Sequence, residues 1–272
     1  MQTRRKRQKT IPRLQRDYWD ALSDEYARIT RISDDDFHYG PQIPGESELR
    51  ILPAFPAGAA SLELGCGGGQ NSVFLARRGL KCTAMDISER QLARARARAA
   101  ARGLEIDFKL AALETFESAL RPDQQFDFVH SSHALEFVDD PAPVVRRMAA
   151  RTKPGGFVVV STVNPLFNGE WITGTFEGEN APEDAQETPG MFLTSYFRPP
   201  DDVRDDAFGH AVSRAWPVSS WFGWFAQAGL RVTALLEPPA TTRAPYTSDD
   251  WADHGGELDE FPSTLVIAGA KP

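Results

Sequence analysis

The chain has 272 residues, 41% hydrophobic and 25% charged, with 21 Gly, 20 Pro and 2 Cys, a balance that supports a buried core and excludes a disordered or collagen-like chain. A net charge of -8 excludes nucleic acid as a partner, because phosphate backbones are bound by Lys and Arg that displace counterions. No apolar run approaches the roughly 18 residues that span a bilayer, so no membrane association is expected.

Residues 1–16 read as a basic disordered arm carrying Arg4, Arg5, Lys6, Arg7 and Lys9 without apolar periodicity. No apolar segment follows them, and two cysteines do not make a secreted framework, so a cytoplasmic location with reduced thiols is expected. From Asp17 the spacing of Tyr18, Leu22, Tyr26 and Ile29 predicts an amphipathic helix. A second helix is expected near Gly45, and together these make a helical cap over 17–58.

Short apolar runs at 60–64, 80–85, 105–110, 126–130 and 157–163 read as strands. Helices fall between them at 71–78, at 88–102 and from Pro141 to the turn at Lys153 to Gly156. Ser88 with Gln91 has capping-box spacing, Gly103 stops that helix, and Asp140 with Pro141 is an N-cap pair. Such alternation predicts parallel crossovers and a doubly wound α/β sheet. After a helix at 219–227, strands at 231–237 and 263–270 have no helix between them, which predicts an antiparallel pair at the sheet edge. The whole reads as one domain over 17–272, with the cofactor-binding core at 59–163, an insert at 164–216 and a closing segment at 217–272.

Glu63, Leu64, Gly65, Cys66, Gly67, Gly68 and Gly69 follow the first of these strands and precede a helix. Glycines here permit a tight turn and a close ligand approach, and the helix N-terminus favours an anionic group. Asp86 ends the second strand, where a carboxylate accepts hydrogen bonds from both hydroxyls of a ribose. Glu89 lies just beyond it, so a ribose 2′-phosphate would be repelled and NADP is excluded.

ELGCGGG with MDIS, FDFVHSSHALEFVDDP and KPGGFVVVSTVNP, over residues 60–165, resembles the class I S-adenosylmethionine-dependent methyltransferases, in their small-molecule, type 11-like group. The resemblance implies a Rossmann-like sheet of seven strands with an antiparallel last strand, and S-adenosylmethionine as cofactor with S-adenosylhomocysteine as product. Glu63, Gly65, Cys66, Gly67 and Gly69 are then expected around the methionine part, and Asp86 and Ile87 at the ribose and one adenine face. The position for an adenine-binding acid is Ala111 or Ala112, so that contact is expected from backbone at Ala112 and Leu113. Tyr26, Tyr39 and Ser131 complete the expected cofactor set.

His133 is the first candidate for a general base, ahead of His130, Glu136, His210 and His38. Tyr18, His133, Asn164, Trp171, Phe176 and Tyr196 are expected at the substrate. HALEF also resembles the stretch of quinone-precursor O-methyltransferases that can hold a divalent cation. His133 and Glu136 match two positions and Phe137 replaces the third, so no metal is expected. Asn164 to Phe167 superficially resembles an NPPF signature but follows the wrong strand to be catalytic.

The insert is aromatic and acidic, which suits a small acceptor with an apolar body, with an amine, a sugar or an aromatic natural-product intermediate as options. Methylation at oxygen or nitrogen is expected, with secondary metabolism as the setting and monomer or homodimer left open. The alternatives are an NAD-dependent oxidoreductase and a noncatalytic nucleoside-binding protein.

Overall fold

The computed structural model describes residues 11–174, 188–241, 246–249 and 260–272. A seven-stranded sheet runs in the order β11-β13-β6-β5-β2-β3-β4. Here β2 is Ala60–Leu64, β3 Lys81–Asp86, β4 Asp107–Leu110, β5 Phe126–Ser132, β6 Thr152–Val163, β11 Arg231–Leu236 and β13 Thr264–Ala270. Strands β2 to β6 pair in parallel, while β13 runs antiparallel to both β6 and β11. This is the expected Rossmann-like sheet with its antiparallel last strand.

Alternate residues of the central strands feed opposite faces. Val158, Val160, Leu265 and Ile267 join one core, whereas Phe157, Val159, Val266 and Ala268 join the other. Burial on both faces is why these strands read as nearly continuous apolar runs. Helices α5 (Pro141–Arg151) and α6 (Val218–Gln227) cover the first face, and α3 (Gln70–Arg77) helps cover the second.

Helix α4 (Glu89–Ala100) begins as expected, with Ser88 Oγ accepting from Gln91 N at 3.1 Å. Asp140 caps α5 by accepting from Ala142 N at 3.0 Å. Strand β6 starts at Thr152, five residues earlier than expected. Thr152 pairs with Phe126 while Gly155 N donates to Lys271 O at 2.8 Å, so the expected turn is drawn into the sheet.

Three expectations need correction. Helix α1 spans Ile11–Ile29, so the arm does not extend to residue 16. Gln15 Nε2 donates to Val212 O at 2.7 Å, and Tyr18 and Leu22 pack against Ala211, which fixes the earlier turns. The rest of the cap is mostly irregular, and its second helix, α2, covers only Glu46–Leu49. The Glu46 carboxylate turns the chain there, accepting from Ile51 N and Leu52 N at 3.0 Å each. The insert, read without secondary structure, contains hairpin β7–β8 (Glu170–Gly174, Thr188–Phe192) and hairpin β9–β10 (Asp202–Asp206, Gly209–Ser213).

Strands β1 (Thr30–Ile32) and β12 (Tyr246–Ser248) form a further antiparallel pair. Cys66 and Cys82 are buried free thiols, and burial pushes the Cys82 thiol up to about 12. Among the described residues, no helix is long and apolar enough to cross a membrane.

Candidate active site

At the carboxyl ends of β2 and β3 the chain turns through the glycine loop into α3. Gly65 has φ +74, and a Cβ there would lie 2.2 Å from the Ala134 Cβ, so only glycine lets the loop pass the segment after β5. Gly69 caps α3 at φ +78, where a Cβ would lie 2.9 Å from the Ala95 Cβ. This packing keeps Gly69 out of the crevice that the loop borders.

Asp86 ends β3 with both carboxylate oxygens engaged. Oδ2 accepts from Gly67 N and Oδ1 from Ser88 N, each at 2.8 Å. Burial pushes its carboxyl up to about 6, against the opposing pull of the Ser88 and Gly67 amides. Glu63, on β2, accepts from the Ser72 hydroxyl, and burial pushes it up to about 8.

The crevice is lined by Glu63, Gly65, Cys66, Gly67, Asp86, Ile87 and Leu113, with Tyr26 from α1. Its lining has three acids, Glu63, Asp86 and Glu114, and among the described residues no Lys or Arg. Glu114 lies on the 3-10 turn Leu113–Ala119 (η1), and burial raises its pKa. The sequence puts the position of an adenine-binding acid at Ala111 or Ala112, where no acid stands. Glu114, two residues beyond Ala112, lines the crevice, whereas Ala112 itself does not. The acid in LETFES was the available signal.

Two further expected cofactor residues lie elsewhere. Tyr39 is fully buried against Phe37 and donates to Glu46, which takes it into the second core. Ser131 is fully buried, with Oγ donating to Leu64 O at 2.8 Å, and its neighbour Ser132 lines the crevice instead. The two-residue period of β5 turns adjacent serines to opposite faces.

A second cavity of about 750 Å³ lies beside the crevice, bordered by α1, the segment after β5 and the β9–β10 hairpin. Tyr18 lines it and donates to Asp206 Oδ2 at 2.9 Å; burial together with that carboxylate pushes its hydroxyl up to about 12. Trp19, Tyr26, His133 and Phe137 line both spaces. Trp19, an aromatic of the N-terminal helix that could close the site or pack the core, lines both spaces, and Phe137 was not among the expected site residues.

His133, at φ +48, has Nδ1 2.9 Å from Glu136 Oε1 and Nε2 3.1 Å from Thr264 Oγ1. Glu136 Oε2 accepts from Thr162 Oγ1 at 3.2 Å. Both ring nitrogens are thus engaged within the protein. Gly40 packs on the same ring, since a Cβ there would lie 2.5 Å from His133 Nε2.

His38 lines the crevice, with its backbone N–H and C=O bridged by the Asn71 amide at 2.9 and 3.0 Å, and burial pushes its imidazole down to about 3. His130 is fully buried, stacked on Phe128 with centroids 4.6 Å apart, and touches neither cavity. His210 lies on β10 and lines neither space.

Two expected substrate residues also fall outside the cavities. Asn164 is fully buried, donating to Glu237 Oε1 at 2.7 Å and accepting from Leu166 N at 3.0 Å, which makes it a turn residue. Tyr196 is on the surface against Phe197, its oxygen accepting from Val218 N at 3.3 Å. Trp171 lies on β7 opposite Met191, but its side chain and the whole of Phe176 are outside the described residues.

The Rossmann-like sheet with an antiparallel last strand, the glycine loop after its first parallel strand and the buried carboxylate closing the next are the arrangement that the resemblance to class I S-adenosylmethionine-dependent methyltransferases implies. Residues 62–160 match the family model described as Methyltransferase domain. The chain is 42% identical over 108 residues to the ubiquinone biosynthesis O-methyltransferase of Stutzerimonas stutzeri, covering 40% of this chain and 46% of that protein. Its counterpart from Idiomarina loihiensis is 37% identical over 126 residues, 45% of this chain and 49% of that protein. The chain thus spans about half the length of the curated relatives it matches.

Among solved structures, an S-adenosylmethionine-dependent methyltransferase from Mesorhizobium loti superposes with TM-score 0.60 at 24% identity, covering 82% of this chain and 94% of that one. The cyclase SpnF superposes with TM-score 0.59 at 16% identity, covering 97% of this chain and 96% of that one. These likenesses concern the fold, which carries more than one chemistry.

Proposed function

We propose that this protein transfers the methyl group of S-adenosylmethionine to an oxygen or nitrogen of a small organic acceptor held in the larger cavity. The observation that carries the reading is the crevice itself. Its lining has three acids and no Lys or Arg among the described residues, and it shares four residues with a second cavity. Burial without a cation raises the carboxyls of Asp86 and Glu63, and a ligand bringing an ammonium, a sulfonium and two hydroxyls supplies what they lack. The diphosphate of NAD would instead meet three carboxylates, which argues against the oxidoreductase alternative.

In this reading Asp86 accepts from the ribose hydroxyls, while Glu63 and the loop Gly65 to Gly67 hold the amino-acid end. Ile87 and Leu113 flank the adenine, and Glu114 accepts from its amino group. When bound, the cofactor supplies a methyl group already activated for displacement. The chain's own contribution is to align the acceptor, exclude water and take up a proton. His133 is the candidate base, with Nδ1 oriented by Glu136. Its Nε2 is available only when the Thr264 hydroxyl turns away, and Ser263 Oγ, 3.4 Å from Thr264 Oγ1, is an alternative partner for that hydroxyl. A base at this point favours a hydroxyl acceptor, because an amine needs only its neutral form. The relatives named above are O-methyltransferases of ubiquinone biosynthesis, and none of them supports a setting in secondary metabolism.

Calorimetry with S-adenosylhomocysteine and with NAD tests the cofactor; binding of the first alone is expected, and binding of NAD alone overturns the reading. Labelled S-adenosylmethionine with a panel of catechols, phenols, alcohols and amines, followed by mass spectrometry, tests the acceptor. A methylated hydroxyl is expected, whereas a panel in which only amines are methylated removes His133 as an obligatory base.

A further inference from the structure

The crevice and the larger cavity have Trp19, Tyr26, His133 and Phe137 in common. Three of these are aromatic and pack on one another from opposite covers. Trp19 of α1 meets Tyr26 edge-on, with centroids 5.4 Å apart and an interplanar angle of 87°. It meets Phe137, on the turn Leu135–Phe137 after β5, at 5.3 Å and 86°. All three rings are half-buried, while their neighbours Tyr18, Leu22, Leu135 and Val138 are buried. Edge-to-face pairing lets only one ring of each pair direct its π face at the other.

We propose that Trp19, Tyr26 and Phe137 form an aromatic collar that recognises the positive charge of the methyl donor's sulfonium at the passage between the two cavities. This rests on the reading that the crevice holds S-adenosylmethionine. With the ribose at Asp86 and the amino-acid end at Glu63, the sulfonium joins the two, and the transferable methyl has to face the second cavity. Residues common to both spaces border that point. A π face attracts a cation, by about three- to thirtyfold in affinity per well-placed contact, and holds a neutral thioether more weakly. Arg204, a cation beside the collar, is already matched: it lies 6.0 Å from the Phe137 centroid, with its Nε 3.1 Å from Asp202.

Glu63 and Asp86 meet the ammonium and ribose that S-adenosylmethionine and S-adenosylhomocysteine share, whereas the collar meets the group that differs. Calorimetry with both compounds on the full chain and on Phe137→Leu separates these contributions. Phe137→Leu is expected to weaken S-adenosylmethionine by about tenfold and S-adenosylhomocysteine by less than about threefold. Equal weakening of both, or no change in either, overturns the collar and reduces the rings to packing. If Phe137→Leu does not fold, Trp19→Leu is read the same way, with Trp19→Phe expected to restore the preference. A parent chain that binds neither compound refutes the cofactor reading itself, which is a different result.

Discussion

Asp86→Asn is the most direct probe of the crevice. The native carboxylate accepts one backbone amide on each oxygen, from Gly67 and Ser88 at 2.8 Å each, and each oxygen can take a further donor. Asparagine keeps one acceptor oxygen and sets an amide donor against the second backbone N–H. Hydrogen bonds to a charged group are worth about 1.5–3 kcal/mol, so the loss of one ribose contact is expected to cost about 2 kcal/mol, or about thirtyfold in affinity for S-adenosylhomocysteine. The pH dependence gives a second reading from the same calorimeter. The unliganded carboxyl titrates at about 6, and ribose hydroxyls donate to its ionised form, so binding draws its pKa down. Affinity is therefore highest above that value and falls by up to about tenfold per unit below it, with proton release on binding. In Asp86→Asn the profile between about pH 5 and 7 is expected to be flatter. For the unliganded protein the sign is opposite. A folded value of about 6 lies above the ordinary 3.8, so the stability Asp86 contributes is complete below about pH 4 and lost as the pH rises through 6, by about 3 kcal/mol. A variant with parental affinity and the parental pH profile would refute the ribose assignment.

Three other substitutions follow from the same geometry. Glu114→Ala is expected to weaken S-adenosylhomocysteine by about fivefold in calorimetry, a hydrogen bond of about 1 kcal/mol; unchanged affinity would return the adenine contact to backbone at Leu113. Gly40→Ala adds a Cβ 2.5 Å from His133 Nε2 and 2.8 Å from Thr264 Oγ1, and is expected to cost about 1–3 kcal/mol in urea unfolding. Parental stability would mean that the segment over His133 yields freely. His130 has no partner for either ring nitrogen, and burial pushes it from 6.5 down to about 3, so its stability is present above about pH 6.5 and lost as the pH falls from there. His130→Leu should therefore gain about 2 kcal/mol more over the parent at pH 5 than at pH 7, and parallel stability profiles would contradict that.

How legible each part was depends on whether its cause is local. The glycine loop, the Ser88 and Asp140 caps and the apolar strands are fixed by neighbouring residues, and they stand where the sequence suggested. Tyr39 and Tyr26 could not be told apart, because both are aromatics of the cap. Only tertiary packing turns Tyr39 to Glu46 and Tyr26 to the crevice. Ser131 and Ser132 illustrate a register effect: the strand was found, but one residue of phase decides which serine faces the crevice. Glu114 was missed because a 3-10 turn carries it there, and the short β9–β10 hairpin because DVRDD has no apolar alternation to betray a strand.

The same distinction changes the reading of the acceptor. Counted along the sequence, the insert's acids suggest a field suited to an amine. Of the six carboxylates that line the larger cavity among the described residues, three pair with arginines and two accept from neutral side chains or His133. Glu25 meets Arg28, Glu136 meets His133 and Thr162, Asp201 meets Arg214, Asp202 meets Arg204, and Asp206 meets the Tyr18 hydroxyl. The three arginine pairs cancel much of their own field, whereas the hydroxyl donors to Glu136 and Asp206 leave those charges in place, so the acid count overstates the attraction for a cation without removing it. In the proposed reading, selection rests also on shape, on the rings around the cavity and on His133 as the candidate base. Under the proposed function an ammonium acceptor would in addition bring its charge close to the sulfonium of the donor, which disfavours it. An acceptor series in which a fixed cation binds more tightly than its neutral isostere would show that the pairing does not quench the field.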